Sequence, residues 1–466
     1  MSEQCLQKEW VADIPSPQSF ETYYDPAGKH YWIQNARGNW IEVNETSVRR
    51  HLKQAGFQAT AGNGESLSQV DKEINRVQTE LDLAFAGPLA GHRAGVHTIV
   101  GNRVLVTNSP MLIVPKPGNC STVMHVLRNL FHDPKHNQVD YVFAWTKVAV
   151  ESLQAGTRMP GQALAIAGPA DSGKSLFQDY LTGILGGRAA KPYRYMSGKT
   201  QFNGELFGAE HQMIEDDVSS TDIRSRLQFG AQIKQSTVNR IQSCHIKHQQ
   251  AISLTPFWRL TISLNEEPEN LLILPPLDES LADKIILLKA AKAKMPMPTG
   301  TPAQREAFWN KLVSELPAFL DFLMKWQIPD ELKCERFGVK HFHHPDLVEA
   351  MDGLAPQTRL LGLIDAVFWP AEDPEFKVNG KRPKSLCLTA MEIESQLVGD
   401  QFVGYEARRL LNWSSATGTY LARLAKQHPD RVQQERSAKE RKWLIHPPHQ
   451  QDAPEAAANT TGKKSV

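Results

Sequence analysis

Residues Gly168, Pro169, Ala170, Asp171, Ser172, Gly173, Lys174 and Ser175 run G-x-x-x-x-G-K-[ST], the spacing of a loop that wraps phosphates. Each residue type has a chemical reason to be there. Glycines let the backbone close around phosphate oxygens, amides at a helix N-terminus supply a positive field, Lys174 adds a full charge, and Ser175 offers a hydroxyl to magnesium. The expected ligands are ATP and Mg2+. Further along, His211 to Asp217 reads as a short strand ending in three acids, Glu215, Asp216 and Asp217. Carboxylates gathered at a strand end need a cation nearby: one can hold the hydration shell of a metal while its neighbour positions the attacking water. Glu215 is assigned mainly to the metal and Asp216 mainly to the water, with Ser175, Glu215 and Asp216 as the candidate metal ligands. A third strand, Trp258 to Leu264, ends at Asn265, whose amide can donate to a phosphate oxygen and accept from water at once.

Something must hold these groups in one place. Gln162 to Ala167 is a short apolar run closed by Gly168, the pattern of a buried parallel strand, and Leu176 to Leu181 carries apolar residues at helical spacing. Strand, loop and helix therefore stand in order. The acidic strand and Asn265 follow within about one hundred residues.

Between them lies Asn239-Arg240-Ile241-Gln242-Ser243-Cys244-His245-Ile246-Lys247-His248. With this series the chain resembles the superfamily 3 helicases, replicative ATPases of DNA viruses, phages and phage satellites, and in particular their phage-type primase-helicase branch, in which Gly198 to Gly204 also looks familiar. The likeness covers roughly Gly161 to Lys289. In that family a hairpin, often bearing a Lys-His pair, projects into a central channel and contacts DNA; Lys247 and His248 match the pair. A lysine at a hairpin tip can meet any backbone phosphate without reading sequence. The resemblance implies an AAA+-like core, a hexameric ring, and ATP-driven movement along single-stranded DNA. It also implies a finger, usually arginine, given by each subunit to its neighbour's phosphates. Here the matching stretch, Leu281 to Ile286, offers Lys284, which keeps the charge but lacks the planar fork. Arg224, Arg226 and Arg336 are the alternatives.

At 466 residues the chain has room for about three domains. Its 52 lysines and arginines balance 51 acidic residues, so no global basic field attracts nucleic acid and any DNA contact must be local. Five scattered cysteines form no C-x-x-C pair, which argues against a zinc ribbon or a disulfide scaffold. No segment reaches the roughly 18 apolar residues of a membrane span, and the start lacks a secretory pattern, so a cytoplasmic location without membrane partners is expected. No acidic cluster or Cys/His spacing precedes the phosphate loop, and any primase is expected to be a separate protein.

The expected fold class is α/β: a P-loop AAA+-like ATPase core with a small N-terminal α+β region and a C-terminal winged-helix-like domain. The layout is an N-terminal module over 1–60, a collar over 69–153, the ATPase over 154–295, a helical lid over 303–385, the winged-helix-like domain over 386–446, and a disordered tail over 447–466. In the first module Tyr23-Tyr24-Asp25 and Tyr31-Trp32-Ile33 flank a turn, and Asn44 to Ser47 cap a basic helix. Val104 to Asn108 and Met111 to Pro115 suggest a hairpin, and Tyr141 to Leu153 an amphipathic helix. His341, His343 and His344 lack partners at metal-ligand spacing apart from Asp346. In the last domain Arg423, Lys426, Arg431, Arg436, Lys439, Arg441 and Lys442 would present a basic surface, or a solvated face interrupted by Glu435 and Glu440.

The functional expectation is an ATP-dependent DNA helicase of a phage or mobile element, a homo-hexamer on single-stranded DNA or a replication fork. Two alternatives stand beside it: a non-processive initiator or loader that melts DNA, and a winged-helix regulator switched by ATP.

Overall fold

The structure, a computed structural model, describes residues 21–62, 64, 66–156, 159–215, 223–275, 277, 280–292, 294–352, 356–370, 384–436 and 440–448. Aromatic-polar alternation produces β1 (Thr22–Asp25) and β2 (His30–Gln34), paired antiparallel across a turn in which Asp25 Oδ1 accepts from the amides of Ala27 and Gly28. β3 (Trp40–Val43) extends the hairpin to a three-stranded meander. α1 (Glu45–Gln54) begins where the Asn44 side chain accepts from Ser47 N, as the cap pattern predicts. α2 (Gln69–Glu80) opens on a Ser68–Asp71 capping box. Its Val70, Ile74 and Val77 pack with Tyr31, Val48 and Leu52, so the polar stretch from Thr60 to Ser68 joins two parts of one small core.

β4 (Phe85–Gly87), β5 (Gly95–Ile99) and β6 (Asn102–Val106) form a second small sheet in the order β4-β6-β5. The expected hairpin is thus displaced. β6 pairs back onto β5 through Val100 and Gly101, at φ of 50° and 79°, rather than forward onto Met111 to Pro115. Pro110, Pro115 and Pro117 lack the amide hydrogens a ladder needs, and that stretch is irregular.

After α3 (Ser121–Leu130) and α4 (Gln138–Ala155) comes the central layer. β7 (Ala163–Gly168) leads through the phosphate loop into α5 (Lys174–Ile184). Then follow β8 (Ala189–Ala190), α6 (Tyr193–Met196), β9 (His211–Ile214), α7 (Ile223–Val238), the hairpin β10 (Gln242–Cys244) and β11 (Ile252–Leu254), β12 (Arg259–Asn265), α8 (Pro268–Leu271) and β13 (Ile285–Lys289). Five strands make one parallel sheet, ordered β13-β7-β12-β9-β8, a layer of the kind expected for an AAA+-like core. All six residues of β7 are buried, with Leu164 and Ile166 facing one apolar cluster and Ala163, Ala165 and Ala167 the other.

α9 (Pro302–Lys325) starts on a Thr301–Gln304 capping box with Pro302 in its first turn. It closes the core from above. Its Glu315 supplies the cap that α3 lacks in its own sequence, accepting from Val123 N at 3.1 Å and Thr122 Oγ1 at 2.7 Å. In return Lys147 of α4 donates to the last carbonyls of α9, Leu323 at 3.2 Å and Met324 at 2.7 Å. Wedged between α9 and the sheet, α4 is buried nearly all round, at Val142, Phe143, Trp145, Val148, Ala149 and Leu153 among others, rather than amphipathic.

α10 (Pro345–Asp352) and α11 (Pro356–Phe368) follow, then β14 (Leu386–Thr389), α12 (Ala390–Gly399), α13 (Gly404–Leu410), α14 (Ala416–Gln427), β15 (Val432–Arg436) and β16 (Arg441–Ile445). This C-terminal region sets three helices beside an antiparallel sheet ordered β14-β16-β15. Leu360, Leu363 and Ile364 of α11 belong to this core together with Trp443 and Leu421. The tail over 449–466 lies outside the described residues.

Candidate nucleotide site at the strand ends

Parallel pairing brings the chemistry-bearing strand ends level. In the β12–β7 ladder Asn265 lies opposite Gly168, and in the β12–β9 ladder Ile262 lies opposite Ile214, so Glu215 falls one step past the last pair. Lys174, 6% exposed, donates from Nζ to the carbonyls of Gly168 and Pro169, both at 2.8 Å, and to Asn265 Oδ1 at 3.2 Å. Residues 91 positions apart thus meet at one ammonium.

The loop has the build of an anion cradle. A Cβ on Gly168 would sit 2.5 Å from Ala290 O, so only glycine lets the strand end pass this close to its neighbour. Gly173 sits at φ 103° and Asp171 at φ 57°, turning successive amides inward. α5 begins at Lys174 without a side-chain cap, and the buried Ser172 Oγ has no hydrogen-bond partner among the described residues. Uncapped amides and an orphan hydroxyl are what a phosphate group would satisfy. The loop opens on a cavity of about 1120 Å³ whose far wall is the strap from Lys294 to Thr299, with Arg305 and Phe308 of α9 behind it. Local spacing alone does not single out that strap. Its two methionines spaced between prolines were the available sign of an apolar wall.

Glu215 does not line this cavity; its carboxylate is held by Lys191. It lies close enough to α5 to act on Asp179, whose carboxyl is raised first by burial and then by the Glu215 charge, against an opposing effect from Lys191. Asp216 and Asp217 lie outside the described residues. Ser175 is exposed at the start of α5.

Behind the site is a buried polar ring that sequence reasoning missed. Gln178 Nε2 donates to Ile214 O at 3.2 Å and to Thr261 Oγ1 at 2.8 Å; His211 contacts Thr261 Oγ1 through Nε2 at 2.8 Å and Thr182 Oγ1 through Nδ1 at 2.7 Å; Thr182 Oγ1 donates to Gln178 O at 3.1 Å. The set closes if His211 carries its proton on Nδ1, with Thr261 donating to Nε2. Burial pushes His211 down to about 3, so it stays neutral at ordinary pH. The ring ties the phosphate-loop helix to the acidic strand and to the strand bearing Asn265.

The other expected residues lie elsewhere. Lys247 and His248 are exposed in the turn of the β10–β11 hairpin, with His248 at φ 66°. The hairpin feeds the start of β12, about 20 Å along that strand from Asn265. Asn203 anchors its stem, donating to Ser243 O at 2.9 Å and accepting from His245 N at 2.7 Å. Lys284 stands before β13, also at the far end of the sheet, where it is buried and bound to Asp283 Oδ1 at 2.6 Å. Arg336 reaches the other oxygen of Asp283 at 2.9 Å and remains 49% exposed. Burial alone would raise Asp283; the Lys284 hydrogen bond and the Arg336 charge outweigh it and hold the carboxyl low. Arg226 is buried, donating to Leu274 O, and the Arg224 side chain lies outside the described ones.

The histidine segment makes packing contacts with its neighbours. His343 contacts Ile285 O, His344 contacts Asp133 Oδ2, and Leu287 bridges to His343 as a short edge pairing; no metal-binding cluster occurs among the described residues. In the last domain Arg423 and Lys426 are exposed, but Arg431 is turned inward onto Asp365 at 2.6 Å and His446 O, which removes it from the basic surface. Lys439 and the Arg436 side chain lie outside the described residues.

No family profile and no curated protein matches the chain. Solved structures give distant likenesses. The apo NrS-1 C-terminal region (305–718) is similar at a TM-score of 0.49 and 12% identity, over 92% of this chain and 96% of that one. A structure titled SCCmec type IV Cch, active helicase, gives 0.30 and 9%, over 88% and 73%. An inhibitor-bound JCV helicase gives 0.28 and 14%, over 53% and 65%. These three scores lie below 0.5, and the functional reading of this chain rests on its own strand-end site.

Proposed function

We propose that the chain is an ATP-dependent DNA helicase of the superfamily 3 kind, acting in replication of a phage or mobile element as a homo-hexameric ring on single-stranded DNA. The observation that carries this reading is the meeting of Lys174 and Asn265 at the mouth of the phosphate loop. On nucleotide binding, Lys174 exchanges the carbonyls of Gly168 and Pro169 for β- and γ-phosphate oxygens. The Asn265 amide then faces both the γ-phosphate and the attacking water. Asp216 mainly would position that water, and Glu215 mainly, once released from Lys191, would hold Mg2+ with Ser175 and Asp216, the ion neutralising charge on the phosphates. The N-terminus of α5 supplies further positive field. Movement of the strand ends is carried along β12 to the hairpin that presents Lys247 and His248.

One observation favours a second reading. Lys284 is locked onto Asp283 at the position where the resembled family carries its inter-subunit finger. Unless Arg336, the exposed guanidinium on the same carboxylate, serves instead, subunits would fire without tight coupling, as in a loader that melts DNA without running along it. A strand-displacement assay on a tailed duplex, read beside native mass in the presence of an ATP analogue and single-stranded DNA, separates the two. The helicase reading predicts six subunits and ATP-dependent unwinding; turnover without unwinding selects the loader, and a chain that neither assembles nor turns over ATP defeats both.

The described residues contain no helix long and apolar enough to cross a membrane.

A further inference from the structure

A second cavity, about 750 Å³, lies outside the phosphate-loop site, between the α3–α4 connection and the last turns of α9. Its size falls in the range of small-molecule sites. Three kinds of group converge on it. Phe322 in the last turn of α9 and Trp326 at its C-cap present half-buried rings, each fixed edge-on against Phe143 at 5.6 and 5.7 Å between centroids. Asn137 donates to Asp140 Oδ2 at 2.6 Å, which leaves Asp140 Oδ1 and the Asn137 carbonyl oxygen as neighbouring acceptors. Arg128 and Lys135 are exposed at the rim and form no ion pair among the described residues.

The cavity is preformed. Asp133 accepts from the amides of Lys135 and His136, both at 2.8 Å, and contacts buried His344; Gln138 binds Lys289 through both its amide atoms, at 2.7 and 3.0 Å. The connection is therefore held from the sheet side while its other side stays open. Asp140 is raised from its ordinary value chiefly by burial, with the Asn137 bond opposing, Glu331 adding and the Arg128 charge opposing.

We propose that this cleft binds a nucleotide bearing an exocyclic amine, free or as one unit of a single strand, with its base on Phe322 and Trp326 and its phosphate at Arg128 and Lys135. The ring faces accept any base, the Asn137–Asp140 acceptors favour an amine on its edge, and the rim cations meet the phosphate. This site stands apart from the phosphate loop.

The test uses the full chain carrying Lys174→Ala, so that the phosphate loop does not account for binding. Equilibrium dialysis measures dAMP and dTMP, and fluorescence anisotropy measures a labelled ten-nucleotide oligodeoxyadenylate. Trp326→Leu removes the aromatic wall; Arg128→Gln with Lys135→Gln alters exposed side chains only and keeps the test valid if the first variant misfolds. Saturable dAMP binding, tighter than dTMP and weakened about tenfold by the variants, supports a free nucleotide. Oligonucleotide binding weakened by the variants, with dAMP alone not retained, supports a strand. The proposal is overturned if the variants leave both ligands unaffected, or if they change only self-association, in which case a second copy of the chain covers the cleft.

Discussion

The two ends of the central sheet carry similar residues and do different things with them. At the C-terminal ends Lys174, Asn265 and an uncapped helix face an open cavity, with the buried hydroxyl of Ser172 unpartnered among the described residues. At the N-terminal ends two cations are engaged inside the fold. Arg259 is buried with its guanidinium on Met159 O, Trp258 O and the Phe257 ring, and Lys284 is closed onto Asp283. A cation at a strand end is therefore no mark of function on its own. Strand direction decides, because in a parallel sheet only the carboxyl ends place loops and helix N-termini around a crevice.

The sharpest way to break this contrast is to remove one lysine from each end. Lys174→Ala is expected to lower ATP turnover by about 1,000-fold with the fold intact by circular dichroism. Lys284→Ala should instead leave turnover within about threefold and lower stability by about 1–2 kcal/mol, read from urea midpoints. Equal losses of turnover would erase the distinction between the ends. Next in size, Asn265→Ala should reduce kcat by about 100-fold while changing nucleotide affinity far less, since the role proposed for its amide is on the water and the γ-phosphate.

A smaller effect probes the polar ring that joins α5 to β9 and β12 behind the candidate site. His211 titrates at about 3 in the fold against 6.5 for the free group. Between those values the unfolded chain binds a proton that the folded chain does not, so stability is highest above pH 6.5 and falls as pH drops towards 3. His211→Gln should flatten that slope, by a few kcal/mol at most, in denaturation midpoints taken from pH 7 to 4. An unchanged slope would show that the imidazole is not held neutral. Smallest of all, Lys247→Ala should lower the salt dependence of single-strand binding by about one charge without altering ATP affinity.

What the sequence made legible was local. The phosphate loop with its strand and helix, the Asn44 cap and the Lys247–His248 turn each depend on residues within a few positions. What it hid depends on distant partners. α4 looked one-sided because nothing nearby reveals that α9 covers its other face. The Gln178–His211–Thr261 ring joins three separate elements, and no spacing rule marks a histidine that will be buried and neutral. Arg431 was counted with a basic surface because Asp365, its partner, stands 66 residues away in another element. The strand tip at Met111 failed for a local reason instead, its flanking prolines.

The central claim is that nucleotide chemistry at one end of β12 is mechanically joined to the DNA-facing hairpin at the other. The most direct measurement is the rate of ATP hydrolysis as an unstructured single strand is added, for the natural chain and for Lys247→Ala. The account predicts that the strand accelerates the natural chain several-fold and that Lys247→Ala keeps its basal rate while losing most of the acceleration. A rate indifferent to the strand, or accelerated equally in both proteins, would contradict it.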